Sequence, residues 1–228
     1  MPDAPDAPTA AELLASLTAE LAGLDAAIRG HRFLDDLEAG RVDERRLRML
    51  AGEQHAVISS DRRSFCQLAA RFPESPAGDL FLFMAEGEGE ALRRLGGLAA
   101  ALGMPGEDLL RHEPSAGAQA YPGHVCSLAL SGSRADVALA FLVNLDAWGA
   151  NCGRARDALT ARYGLGADAV AFFDFFATPP TGFAERALAV ADAGLMAGDS
   201  PARARTAARL LASYELMFWD ALAEAPGG

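Results

Sequence analysis

PARARTAARLLASYELMFWDALAEA, residues 201–225, decides the fold class. Ser200 followed by Pro201 is a helix cap with proline at the first helical position, where its missing N–H is no loss. Beyond it, apolar residues recur at helical spacing, and a helix advances about 100° per residue. Ala208, Leu211, Phe218, Trp219 and Leu222 therefore all fall within about 60° of Glu215. A carboxylate sits inside the apolar face of this helix. Burying a charge without a partner is costly. Glu215 is either a core or subunit-contact residue with a partner, or a pocket acid or base with a raised pKa.

The same grammar extends upstream. Shorter helices are expected over 182–195 and 167–176, with Gly164 and Gly166 breaking the chain before them. Ser133 caps a long helix to Tyr163. A weaker one is expected over 118–130, with Pro122 in its first turn. The spacing predicts a helix over 79–102, and one helical turn over 107–111. Asp43 caps a helix to Phe72, ended by Pro73 and Pro76. A short piece covers 31–38, and Thr9 with Glu12 forms a capping box opening a helix to Gly30. No alternating strand pattern occurs. The expectation is an all-α bundle of seven to nine helices, one domain over 9–224 behind a disordered lead, 1–8.

Half of the residues are apolar (51%), enough for a sizeable core, and Ala and Leu dominate them. The net charge of -11 repels phosphate backbones, which argues against nucleic-acid binding. Three cysteines, Cys66, Cys126 and Cys152, lie far apart. With no Lys or Arg and no apolar run in MPDAPDAPTA, they read as reduced thiols of a cytoplasmic protein. No apolar run approaches the roughly 18–20 residues of a membrane span, so no membrane partner is expected.

Other polar residues also fall on apolar faces. In the helix from Asp43, Gln54 is near the centre of the stripe and His55 on its shoulder. Asp61 and Arg62 lie close by and read as an ion pair at an edge. In the helix after Ser133, Asn144 and Asn151 lie within about 60° of Trp148. They either bond between helices or recognise a flat polar ligand. Asp146 points the other way, but the all-apolar stretch before it allows it to be buried too. Phe172, Phe173, Phe175 and Phe176 read as core, or as the wall of a cavity.

No phosphate-binding loop, dinucleotide fingerprint or nucleophile elbow occurs, and no cofactor is implied. His31, His55, His112 and His124 share no ligand spacing. Glu86, Glu88 and Glu90, two apart, splay round their helix and read with Asp79 as a solvated face. No metal site is expected.

Tyr214, Glu215, Phe218 and Trp219 together resemble the end of the TenA/thiaminase-II family. HRFLDDLEAGRVDERRLRMLAGEQHAV, 31–57, resembles that family's opening, with His55 where the family has Asp after Gln. NLDAWGANCG, 144–153, resembles its cysteine helix in spacing. The resemblance covers roughly 12–224 and implies a haem-oxygenase-like helical bundle, assembled as a homodimer or homotetramer. It implies a small flat ligand, aminopyrimidine or thiamine-related, in the bundle centre. Glu215 matches the family's acid/base; Glu215 and His55 are the candidate catalytic residues, and Gln54, Asn144, Asp146, Asn151, Phe176 and Phe218 the candidate ligand-binding ones. The family's nucleophilic Cys falls at Leu145, and its following Tyr at Gly149. Asp146 and Cys152 are the residues that could stand in. A non-catalytic binding or regulatory protein, and a metal-dependent oxidase of the same fold, are the alternatives.

Overall fold

Thr9 accepts the Glu12 N–H while the Glu12 carboxylate takes the Thr9 N–H, and this reciprocal cap starts α1, Ala10–Glu20. The computed structural model describes residues 8–224, so all but the last residue of the expected disordered lead lies outside the described residues. Leu21 closes α1 and opens α2, Ala22–Arg29. The apolar spacing Leu17, Leu21, Leu24 and Ile28 runs through that junction as if through one helix, although Gly23 follows it. His31 caps α3, Arg32–Glu38, by accepting the Phe33 N–H at Nδ1. Asp43 caps α4, Glu44–Arg71. The next helices are α5, Ala77–Ala101, and α6, Gly106–Arg111. Ser115 caps α7, Ala116–Ser131. That cap starts α7 earlier than the proline suggested, so Pro122 stands inside the helix rather than in its first turn. Ser133 and Asp136 cap α8, Arg134–Tyr163, which ends on Gly164 at φ 66°. Three helices complete the chain: α9, Ala167–Ala177; α10, Phe183–Met196; and α11, Pro201–Glu224. The total among the described residues is eleven, because the first expected helix is two and α6 is a helix in its own right. None of them is long and apolar enough to cross a membrane.

Six helices close into a ring: α4 packs on α5, α5 on α9, α9 on α8, α8 on α11, α11 on α7, and α7 back on α4. Two apolar cores fill the ends of this ring. One holds Phe33, Leu50, Ile58, Ala91, Ala147, Phe172 and Trp219; the other holds Leu17, Phe65, Phe81, Ala85, Ala140 and Leu211. Four long helices pass through both cores, and each carries a polar residue at the junction. Asp61 lies between Ile58 and Phe65 on α4, and Glu88 between Ala85 and Ala91 on α5. Asn144 lies between Ala140 and Ala147 on α8, and Glu215 between Leu211 and Phe218 on α11. The helices thereby define a polar layer in the middle of an apolar bundle.

Candidate functional site

That layer encloses a cavity of about 440 Å³, within the range of small-molecule sites. Every helix of the ring contributes to its wall. Aromatic side chains dominate, including Phe83, Tyr121, Phe141, Trp148, Phe175, Phe176 and Phe218. Trp148 meets Phe176 edge-on at 5.9 Å and Phe218 at 6.4 Å between ring centroids, so these rings brace one another.

Glu215 is 2% exposed and lines the cavity. Its Oε1 accepts the indole N–H of Trp219 at 3.2 Å, and its Oε2 accepts the side-chain N–H of Asn144. Tyr121 donates its hydroxyl to Asn144 Oδ1 at 3.3 Å, which fits the Asn144 amide with its nitrogen toward Glu215. Burial pushes the Glu215 carboxyl up to about 7, although the Trp219 and Asn144 hydrogen bonds favour its anion. The result is a carboxyl that exchanges a proton near neutral pH. Tyr121 stays a phenol: burial, then the charges of Asp61, Glu215 and Glu88, raise its pKa well above the usual value.

Of the candidate site residues, the structure brings Glu215, Gln54, Asn144, Phe176 and Phe218 together on the cavity wall. Three others lie elsewhere. His55, one residue past Gln54, is turned about 100° away. It is half-buried, and burial and the neighbouring His112 push its pKa down. Asn151 is two turns beyond Asn144, inside the first core, and donates to the Ile28 carbonyl at 3.0 Å to tie α8 to α2. Asp146 is exposed, so the apolar stretch before it does not carry it inward.

Leu145 lines the cavity, whereas Cys152 is fully buried in the first core, where burial raises its thiol pKa well above the usual range. Cys66 and Cys126 are exposed, and no cysteine lines the cavity. At Gly149 an added Cβ would stand 3.1 Å from the Phe176 carbonyl oxygen. α9 thus approaches α8 closely at Gly149, and a side chain there would require it to shift.

Two wall residues were misread from sequence. Asp61 is 3% exposed and forms no edge pair with Arg62, which is exposed and lies against Gly89 of α5. Glu88 is half-buried and faces the cavity rather than bulk solvent. The wheel that singled out Glu215 finds Glu88 as well: Phe81, Ala85, Ala91 and Leu95 lie within about 60° of it. Phe172 and Phe173 belong to the core, while Phe175 and Phe176 wall the cavity, so the aromatic run serves both purposes. Among the described residues, no group of three or more His, Cys, Asp or Glu is arranged to hold a metal ion.

A ring of helices around a central, carboxylate-bearing cavity defines this as a haem-oxygenase-like all-α protein. The chain belongs to the TENA/THI-4/PQQC family, whose model matches residues 18–178. A TenA homologue from Pseudomonas syringae pv. tomato shares 14% identity, with 96% of this chain and 97% of that one covered, at a TM-score of 0.78. A TenA homologue from P. horikoshii shares 16%, with 92% and 97% covered, at 0.73. A domain of unknown function with a heme oxygenase-like fold from Shewanella denitrificans shares 13%, with 92% and 90% covered, at 0.70. Likeness at these identities shows the fold. No match is found among curated proteins.

Proposed function

We propose that this TenA-like protein takes a small flat ligand, aminopyrimidine or thiamine-related, into the ring cavity and uses Glu215 to move a proton on it. The supporting observation is a buried carboxyl on the wall of an aromatic cavity, pushed up to about 7. A group with that pKa is both a competent acid and a competent base at neutral pH. Asn144 and Gln54 are the polar groups that orient the ligand, and Phe176 and Phe218 its stacking surfaces. The chemistry this favours is hydrolysis of an exocyclic C–N bond. Glu215 takes a proton from water as the water oxygen bonds to carbon, and returns it to the departing nitrogen.

With Leu145 at the family's nucleophile position and no thiol on the wall, cleavage of thiamine through a cysteine is not expected. A non-catalytic binding or regulatory role is the second reading. It draws on the fact that Asn144 and Trp219 already occupy both Glu215 oxygens. Purified wild type and Glu215→Gln are to be incubated with an aminopyrimidine bearing a hydrolysable exocyclic amine, with binding and ammonia release measured together. The catalytic reading predicts binding by both proteins and ammonia from the wild type alone. Binding without turnover by either supports the second reading.

A further inference from the structure

The cavity wall carries charge of one sign. Asp61, Glu86, Glu88, Glu90 and Glu215 line it, no arginine does, and the sequence contains no lysine. Two of these acids are already served. Glu90 pairs with Arg93 and Arg94, and Glu215 takes its two N–H bonds. Asp61 and Glu88 are not. Asp61 is 3% exposed, and its Oδ1 is buried with no hydrogen-bond partner among the described residues. Glu88 forms no ion pair with any described residue. Arg62, adjacent to Asp61 in the chain, packs instead against Gly89 and faces solvent.

A buried carboxylate oxygen without a partner is a costly arrangement that a fold seldom keeps for stability's sake. Here two carboxyls meet across the α4–α5 contact. Burial raises both well above the usual range, and the Asp61 charge raises Glu88 further. Two such groups cannot both ionise unless a positive charge joins them. Among the described residues no cationic side chain lines the cavity, and aromatic faces occupy much of the remaining wall, which also favours a cation. Asp61 stands seven residues from Gln54 on the same helix, about 10 Å along its axis, a span that a ring with a short arm can cover.

We propose that Asp61 and Glu88 form an anchoring site for a cationic nitrogen group, an ammonium or amidinium, carried by a flat aromatic ligand. This deepens the proposed function by naming the charge class of its ligand, and it rests on that reading only for the cavity being a binding site. The carboxyl pair grips the charged nitrogen and the aromatic wall covers the ring. Proton transfer at Glu215 is a separate event.

Calorimetric titration of the full chain with benzamidine, benzamide, benzoate and magnesium chloride tests the assignment. Benzamidine and benzamide have nearly the same shape and differ in charge. Benzamidine is expected to bind at least about tenfold more tightly than benzamide or benzoate. Asp61→Asn and Glu88→Gln should each weaken benzamidine about tenfold and erase its advantage over benzamide. Glu215→Gln is titrated beside them as the variant of the other buried acid on the wall. If circular dichroism shows Asp61→Asn to be misfolded, Glu88→Gln, at a partly exposed position, decides alone.

The assignment is overturned if benzamidine gives no heat, if benzamide binds equally well, or if the preference survives both variants. A preference lost only in Glu215→Gln also overturns it, while leaving Glu215 as the centre of the proposed function. Magnesium binding that Asp61→Asn abolishes would make the pair a metal site instead. Absence of proton chemistry at Glu215 alters none of these outcomes, so the two readings fail separately.

Discussion

Asn144 on α8 donates its side-chain N–H to Oε2 of Glu215 on α11, and the two residues meet where the apolar cores of the bundle join. This hydrogen bond links two ring helices and, with that from Trp219, offsets part of the rise that burial imposes on the Glu215 carboxyl. Stability and chemistry are coupled at this contact, and the coupling has measurable consequences.

Stability should depend on pH through Glu215. Its folded pKa, about 7, lies above the ordinary 4.5, so the fold favours the protonated form. The associated stability is fully present below about 4.5, declines as pH rises, and is lost above about 7. A shift of this size corresponds to about 3 kcal/mol. Asp61 and Glu88 act in the same direction, so the Glu215 contribution is the difference between wild type and Glu215→Gln. Denaturant melts from pH 4.5 to 8 should show wild type losing stability relative to the variant as pH rises. Parallel curves would contradict this.

Removing the partner should raise the acid. Asn144→Leu deletes a hydrogen bond that favours the Glu215 anion, so the carboxyl should titrate above its wild-type value. At pH 8 the variant should be less stable by about 1–3 kcal/mol, because a buried anion has lost a donor. Tyr121→Phe removes only the bond to Asn144 Oδ1 and should cost roughly 0.5–1.5 kcal/mol. Thermal melts of both variants at pH 8 check the order.

The cysteines should behave unequally. Cys66 and Cys126 are exposed and Cys152 is buried. A chromogenic thiol reagent is expected to titrate two thiols in the native protein and the third only after unfolding. Cys152→Ser should lower stability by about 1–3 kcal/mol, because a hydroxyl replaces a thiol in an apolar core. Ligand binding should survive it. Loss of turnover without loss of stability would reinstate Cys152 as a reactive group.

Gly149 should resist enlargement. Gly149→Ala presses a Cβ against the Phe176 carbonyl and should cost about 1–3 kcal/mol while displacing Phe176 from the cavity wall. Weaker binding of any flat ligand should accompany the stability loss. A variant with unchanged binding and melting would contradict the packing described for α8 on α9.

Most of the architecture is legible in the sequence because caps and periodicity are local. Thr9, Asp43, Ser133 and Ser200 each mark a helix start within a residue of where it falls. The break at Leu21 is not legible, since the apolar spacing continues through it without interruption. At the site, Glu215, Gln54 and Asn144 declare themselves as polar residues on apolar stripes. At Asn151 the inter-helix alternative is the one realised, through the Ile28 carbonyl 123 residues away in sequence. At Glu88 the spacing of two from Glu86 and Glu90 misleads, and at Asp61 the adjacent Arg62 suggests an edge pair that does not form. Which part of a helix face meets a cavity is fixed by the helices around it, and one helix wheel carries no information about its neighbours.

The central claim is that the cavity of this bundle is organised around a Glu215 carboxyl held near neutrality. Its most direct test is a carbon-13 NMR titration of the glutamate side-chain carboxyls in the folded protein, with the Glu215 signal assigned by its absence from Glu215→Gln. The expected result is an inflection at about 7, moving higher in Asn144→Leu. An inflection near the ordinary 4.5, unmoved by Asn144→Leu, would contradict it.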